Sequence, residues 1–400
     1  MCLIAGPAAA QTQLFLPPGS PAVPPGPEQP RRGPVTITPT ISVTGEYNDN
    51  VFQNNNNKVS DFIVGFTPGV TVAVESPIYR LLGSYSFTAE VYADQSQLND
   101  VFARQTLLLD GTYRVSPLLT LTLTDTFLVA KNTNTVAAEN VSTGRTRSVT
   151  NTLAPGATYQ LDPRTTLRAR GTWITQHYDA VGALDSNTYS IEGFVDYALT
   201  SRLTLITGYQ FSFFDIDGAP DTTTHTPRFG ASYRITPTTT GTLTAGPTIV
   251  VPENGSVTVT PAVTAMLQER FAWGSLALQY DRAVGTAGGL GGTTVNQSIG
   301  AVVTVDRILR GLVLQASPRY TTAESTSGST GNIDVQSFSL TLQGRYQINR
   351  WMAALAGYTY FMQRSSNTTV TTAAGTITAT DVDQNRVFVG LQFGYPITLD

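Results

Sequence analysis

No run of apolar residues in this chain is long enough for a membrane-crossing helix, which takes about 18 in succession. A helical membrane protein is therefore excluded. Cysteine occurs once, at Cys2, so no disulfide framework exists. Charge is scarce: Asp, Glu, Lys and Arg make up 13% of the residues, against about 25% in an ordinary soluble domain. The net charge is −4 and no basic stretch occurs, which argues against a nucleic-acid partner. Lysine is confined to Lys58 and Lys131, so nearly all cations are arginine.

Histidine occurs only at His177 and His225, which leaves little for catalysis. His177 has Asp179 nearby but no nucleophile set beside it, so no catalytic residue is assigned and the chain is not read as an enzyme. Asp215-Ile216-Asp217-Gly218 and Asp381-Val382-Asp383 space carboxylates two apart on expected loops. Neither continues to the closing Glu of a calcium loop, so they read as solvated acids, and no metal or cofactor is assigned.

What the sequence has instead is a repeat. Tyr113-Arg114-Val115-Ser116-Pro117 returns as Tyr159-Gln160-Leu161-Asp162-Pro163, Tyr197-Ala198-Leu199-Thr200-Ser201-Arg202, Tyr233-Arg234-Ile235-Thr236-Pro237 and Tyr346-Gln347-Ile348-Asn349-Arg350. Weaker copies lie at Ser76-Pro77 and Asp306-Arg307. The flanking segments alternate apolar and polar with period two, as strands do and helices do not. Each copy therefore reads as the short turn of an antiparallel hairpin. About 18 strands follow one another from residue 35 to residue 396. Their links alternate between short turns and longer polar loops, such as Asn48–Val59, Asn132–Thr146 and Ser365–Asp383. That alternation predicts an all-β fold, a transmembrane antiparallel up-and-down β-barrel. An even strand number puts both termini at the short-turn, periplasmic side of a Gram-negative outer membrane.

Alternation also assigns faces. Apolar residues such as Leu205, Tyr209, Phe211, Phe229 and Ala231 face lipid. The lumen-facing, pore-lining set comprises Arg80, Arg104, Asp110, Arg114, Arg168, Arg170, Glu192, Asp196, Arg228, Arg234, Arg319 and Arg345. Arg168, Arg170, Arg228 and Arg234 form its expected positive arc, which would attract anions unless salt bridges take it up. Phe102, Phe194 and Phe214 are expected inward as well. The repeated Tyr113, Tyr159, Tyr197, Tyr233 and Tyr346 fall at a fixed offset from the short turns, which suits a membrane-interface aromatic girdle. Two features resist the pattern. Asp125 shares a face with Leu121, Leu123 and Phe127, which suggests a bulge there. Seven prolines (39, 68, 155, 227, 247, 261 and 318) fall inside strands, where each lacks a ladder donor.

At the start of the chain, residues 1–11 end in Ala8-Ala9-Ala10 before Gln11, as the remnant of a signal peptide would. Residues 12–33 are Pro-rich and read as a disordered tether, able to reach a periplasmic export partner. The barrel is expected over 34–400.

The segment Ile41–Phe52, ISVTGEYNDNVF, is followed by Ser60-Asp61-Phe62 and Phe66-Thr67-Pro68-Gly69-Val70. It resembles the opening of the β-barrel porin 2 family of Gram-negative outer-membrane proteins. There a strand ends in Tyr-Asp/Asn-Asp-Asn, a loop follows, and the next strand carries Ser-Asp and Pro-Gly. Tyr47-Asn48-Asp49-Asn50, Ser60-Asp61 and Pro68-Gly69 fill those places, over about the first 60 mature residues. The resemblance implies a barrel in contact with outer-membrane lipids and lipopolysaccharide, in a family some of whose members are linked to polysaccharide export. The expected function is a porin-like channel for polar solutes or an exported polysaccharide. The alternative is a plugged structural or assembly barrel, which inward folding of Asn132–Thr146 or Ser365–Asp383 would indicate.

Overall fold

The computed structural model describes residues 35–135, 140–326, 331–365, 368–372 and 375–399. The leader-like residues 1–11 and the Pro-rich segment 12–33 lie outside them. The described chain forms a closed, antiparallel barrel of 18 staves.

In chain order the strands are β1 (Val35–Asn48), β2 (Asp61–Glu75), β3 (Tyr79–Tyr92), β4 (Asp100–Arg114), β5 (Leu119–Asn132), β6 (Arg145–Gln160), β7 (Thr165–Tyr178), β8 (Ser186–Ala198) and β9 (Leu203–Ile216). There follow β10 (Thr222–Arg234), β11 (Thr239–Pro252), β12 (Thr258–Phe271), β13 (Gly274–Gly285), β14 (Thr294–Val305), β15 (Leu312–Ser325), β16 (Asp334–Asn349) and β17 (Met352–Ser365). A small hairpin, β18 (Thr369–Thr372) and β19 (Gly375–Thr378), sits in the last loop. The final stave is β20 (Val382–Gly394), continued by β21 (Ile397–Leu399). It pairs with β1 and closes the ring. Val35 is the register partner of Leu399, so both described ends lie at the short-turn end.

In four of the repeats the small polar residue builds the short turn. Its side-chain oxygen accepts backbone N–H groups two and three positions on, which fixes the corner locally. Ser116 Oγ accepts from Leu118 (3.2 Å) and Leu119 (3.1 Å). Thr200 and Thr236 do the same for Arg202–Leu203 and Thr238–Thr239. At Asp162 the acceptor is one carboxylate oxygen, Oδ1, 2.8 Å from Arg164 N and 3.0 Å from Thr165 N. The link between β12 and β13 is the two-residue Ala272–Trp273.

The outward face is an apolar belt. Ile41, Val43, Phe66, Leu121, Leu123, Ile191, Phe229, Leu243, Ile299, Val389 and Leu391 are all exposed on it. Such a contiguous surface belongs against hydrocarbon, and a closed ladder leaves no lipid-exposed strand edge.

Each strand proline occupies an outward register position beside an interruption in one of its two ladders. Pro68 pairs with Ile41 on one side, and on the other the β2–β3 ladder skips from Phe66↔Ala89 to Gly69↔Ser86. Pro155 pairs with Leu123, with a skip toward β7. Pro318 pairs with Leu340, with a skip toward β14. Pro227 and Pro247 share one break between β10 and β11, and Pro247 pairs with Pro261. Pro261 lies beyond Val263↔Arg282, where the β12–β13 ladder ends. Pro39 stands where the last stave steps from β20 to β21. A strand residue directs its N–H to one neighbour only, so proline is tolerated where that side is already broken. At the β10–β11 break the strands also approach closely. A Cβ on Gly246 would lie 1.8 Å from the Pro227 carbonyl oxygen, so only glycine fits.

Asp125 has no bulge. It lies in continuous register between Leu109 and Leu153 on the outward face, and the nearest shift in β5 is at Ala130/Asn132. Its carboxylate accepts from Asn151 Nδ2 at 2.9 Å instead. A neighbouring amide thus supplies the hydrogen bond that lipid cannot.

Candidate functional site: the inner wall and the loop cap

All twelve residues expected in the lumen occupy inward register positions on their strands. Arg168, Phe194 and Thr158 are register partners, as are Arg170, Glu192 and Gly156. Arg228 stands opposite Gly208, Arg234 opposite Thr240, Arg319 opposite Gly300 and Ser339, and Arg345 opposite Val313 and Leu355. Arg104 and Asp110 face Thr88 and Leu82, while Arg80 and Arg114 lie near the short turns.

Their pairing differs from residue to residue. Arg168 holds Asp196 through Nε (2.5 Å) and Nη2 (2.8 Å). Its guanidinium lies 5.1 Å from the centre of the Phe194 ring, which packs over Gly208. Arg168 is therefore committed to the wall. Arg104 pairs with Glu90 at 2.7 Å and Arg80 approaches Glu75 at 4.0 Å. Arg228 is buried and donates to Thr264 Oγ1, which in turn donates to Asp281. Arg114, Arg170, Arg234 and Arg345 have no carboxylate within 4.0 Å among the described residues. Of the expected arc, Arg168 alone is held by a carboxylate, Arg228 bonds to the Thr264 hydroxyl, and Arg170 and Arg234 stand without an acidic partner among the described residues. Phe194 and Phe214 face inward, but Phe102 does not: it packs at 4.9 Å on the outward Phe87, because β4 carries extra residues opposite Ala89.

The mouth at the long-loop end is crossed by loops. The loop between β5 and β6 reaches β16 and β17, which stand almost opposite, with β5, β4, β3, β2, β1, β20 and β17 between β6 and β16. Asn140 Nδ2 donates to Ser337 Oγ at 3.1 Å. Ser142 N donates to Gln363 Oε1, and Gln363 Nε2 donates back to Ser142 O, both at 2.7 Å. Ser142 Oγ also donates to Gln53 Oε1 at 2.5 Å, and Gln53 Nε2 donates to Asn134 and Gln384. From another wall, the β13–β14 loop crosses to β7, where Thr286 Oγ1 donates to Gln176 at 2.9 Å. Gly289 O accepts from Leu184 N in the β7–β8 loop. Between the loops lies a small apolar core of Val141, Ala287, Leu290, Ala323, Ile333, Val335, Val370, Ile377 and Ala379. Both loops singled out in the sequence thus contribute to a cap. The glutamines and Ser142 that latch it carried no sequence signal, since each serves a partner on a distant strand.

Below the cap, inward-facing side chains keep accessible surface. The side chains of Arg168 and Asp196 retain 27% and 18% of their exposure despite facing inward. Tyr113, Tyr159, Tyr197, Tyr233 and Tyr346 are all exposed on the outward face next to the short turns, with Tyr79, Trp273 and Trp351 beside them. At the opposite end, aromatic hydroxyls bond to amides on the next strand: Tyr280 to Gln297, Tyr320 to Gln336 and Tyr358 to Asn385. His177 and His225 lie on the outward face of the rim, held by Asp185 and by the Tyr209 hydroxyl.

No family model matches this chain, so the likeness of residues 41–70 to the β-barrel porin 2 family rests on motif alone. No curated protein matches it either. Several solved outer-membrane structures are similar in outline. OpdK from Pseudomonas aeruginosa shares 10% identity, covering 90% of this chain and 99% of that one, with a TM-score of 0.42. OpdO from the same organism shares 13%, covering 91% and 97%, with a TM-score of 0.44. OccAB4 from Acinetobacter baumannii shares 12%, covering 92% and 100%, with a TM-score of 0.42. Similarity of this degree leaves the functional reading to rest on the barrel's own geometry.

Proposed function

We propose that this chain is a channel in the outer membrane of a Gram-negative cell, passing small polar solutes with a bias toward anions. One observation carries the reading: below the cap, the inner face is polar and charged, and its side chains keep accessible surface. Barrels of 16–18 strands enclose an aqueous lumen. Arg114, Arg170, Arg234 and Arg345, without carboxylate partners, supply a positive potential along it. The tyrosines flanking the short turns anchor the periplasmic edge, and the long loops face outward. Both termini are then periplasmic, and the Pro-rich segment is free to meet an export partner there. Export of a polysaccharide would require the cap to leave the mouth.

The test is conductance of the purified protein in a planar bilayer. The channel should prefer anions at 0.1 M salt, where the Debye length is about 10 Å, and lose most of that preference at 1 M, where it is about 3 Å. Replacing Arg114, Arg170, Arg234 and Arg345 by Gln should move selectivity toward cations without loss of insertion. The crossing loops favour a second reading, a barrel kept shut until a partner acts on it. Well-inserted protein that never conducts would support that reading and defeat the first.

A further inference from the structure

His177 lies beyond Trp173 on the outward face of β7, where that strand gives way to its loop. The β7–β8 loop runs from Asp179 to Asp185, and both end residues turn a carboxylate to the imidazole. His177 Nδ1 meets Asp185, and Nε2 lies 3.2 Å from Asp179. The ring thus bridges the first and last residues of the loop. The other Asp185 oxygen accepts from Tyr178 N at 3.0 Å. On β6, Arg147 reaches the far oxygen of Asp179 at 3.6 Å. Asp217, in the β9–β10 loop, touches Asp185 through its backbone N–H at 3.0 Å. β8 brings the uncharged Ser186 and Asn187, and the described residues of the β13–β14 loop and the β18–β19 hairpin carry no charge.

The middle of the same loop belongs to the cap. Ala180 and Ala183 pack on the apolar core between the loops, and Leu184 is buried. Leu184 N donates to Gly289 O at 2.9 Å, so the loop also holds the β13–β14 loop that crosses the mouth. On its other side, a Cβ at Gly182 would come within 2.9 Å of the backbone of Gly375 and Thr376 in the hairpin. Whatever ties the ends of the β7–β8 loop therefore supports two other parts of the cap. An imidazolium donates from both nitrogens, whereas a neutral imidazole turns a lone pair toward one of the two carboxylates.

We propose that His177 is a pH-sensitive staple of the cap: as imidazolium it ties both ends of the β7–β8 loop, and as neutral imidazole it releases one of them. This rests on the crossing loops being a cap over a solute path, and gives that cap a response to acidity. The hydrogen bond with Asp185 raises the His177 pKa above its ordinary value of 6.5. The staple is therefore complete in acid and is lost as pH rises through the raised value. With 53% of the side chain exposed, solvent screens the contacts, and the ratio of loosened to held loop should change by roughly twofold to fivefold.

The test places a nitroxide on a cysteine at Val181, an exposed position in the loop, in the full chain carrying Cys2→Ser. Spin-label spectra are recorded between about pH 5 and about pH 9. The mobile fraction should grow with pH by the stated factor. His177→Gln should abolish that growth, and His225→Gln, which alters the other rim histidine, should retain it. A label at Val181 whose mobility ignores pH overturns the staple. So does an equal pH response in His177→Gln, which would assign the change to another group. Because the label reports on the loop itself, these outcomes do not depend on whether the barrel conducts.

Discussion

Replacing Gln363 by Leu should unlatch the cap. The side chain accepts one bond from Ser142 N and donates two, to Ser142 O (2.7 Å) and Thr380 O (2.8 Å), all within the closed mouth. Leucine fills a similar volume but leaves the backbone N–H and C=O of Ser142 without partners. Each buried group so stranded costs about 1–3 kcal/mol, and these groups regain water only when the loop leaves the mouth. Taking about 3 kcal/mol for the two together, the equilibrium shifts toward the open arrangement by roughly 150-fold. The apolar core around Val141 and Leu290 is untouched and still opposes opening. The assay is single-channel recording, with open probability and conductance compared against wild type. Gln297→Leu, which removes an outward-facing glutamine bonded to Tyr280, serves as the control for insertion. A folded Gln363→Leu barrel with unchanged conductance and unchanged gating noise would refute the argument that this loop restricts the path.

Three further outcomes are expected. Cysteines at Asn54 and Thr369, on exposed parts of the long-loop end, should label from outside intact cells, while one at Arg350 should label only after the outer membrane is opened; surface labelling at Arg350 reverses the topology. Tyr159→Asp combined with Tyr233→Asp should impair insertion, whereas inward Thr158→Asp should not, and equal defects would show that the two faces are not distinguished by lipid. Gly246→Ala should lower stability by about 1–3 kcal/mol, the usual cost of overpacking, because the added methyl meets the Pro227 carbonyl at 1.8 Å; a heat-unfolding midpoint equal to wild type would mean that the two strands can separate there freely.

The staves were legible because their signals are local. Period-two alternation follows from the pleat itself, so Leu205, Tyr209 and Phe211 declare their face without reference to any other strand. The turns at Ser116, Thr200 and Thr236 are built by side chains that bond backbone groups two and three residues away, again within a single stretch. Closure into a ring follows from the number and order of such units. The inward register of the charged residues was therefore readable, but not their pairing: whether Arg168 is free or bound to Asp196 depends on which rotamers two strands hold side by side. The prolines and Asp125 contradicted the alternation as read in one strand, and only the neighbouring strands resolve them. A broken ladder removes the need for the proline N–H, and Asn151 satisfies the carboxylate. The cap lay furthest from sequence. Ser142 and Gln363 are 221 residues apart, and Asn140 and Ser337 are 197 apart. No periodicity links such positions. Closure of the barrel brings them to opposite walls of one mouth, where buried backbone groups must find partners, and that requirement decides what the loops do.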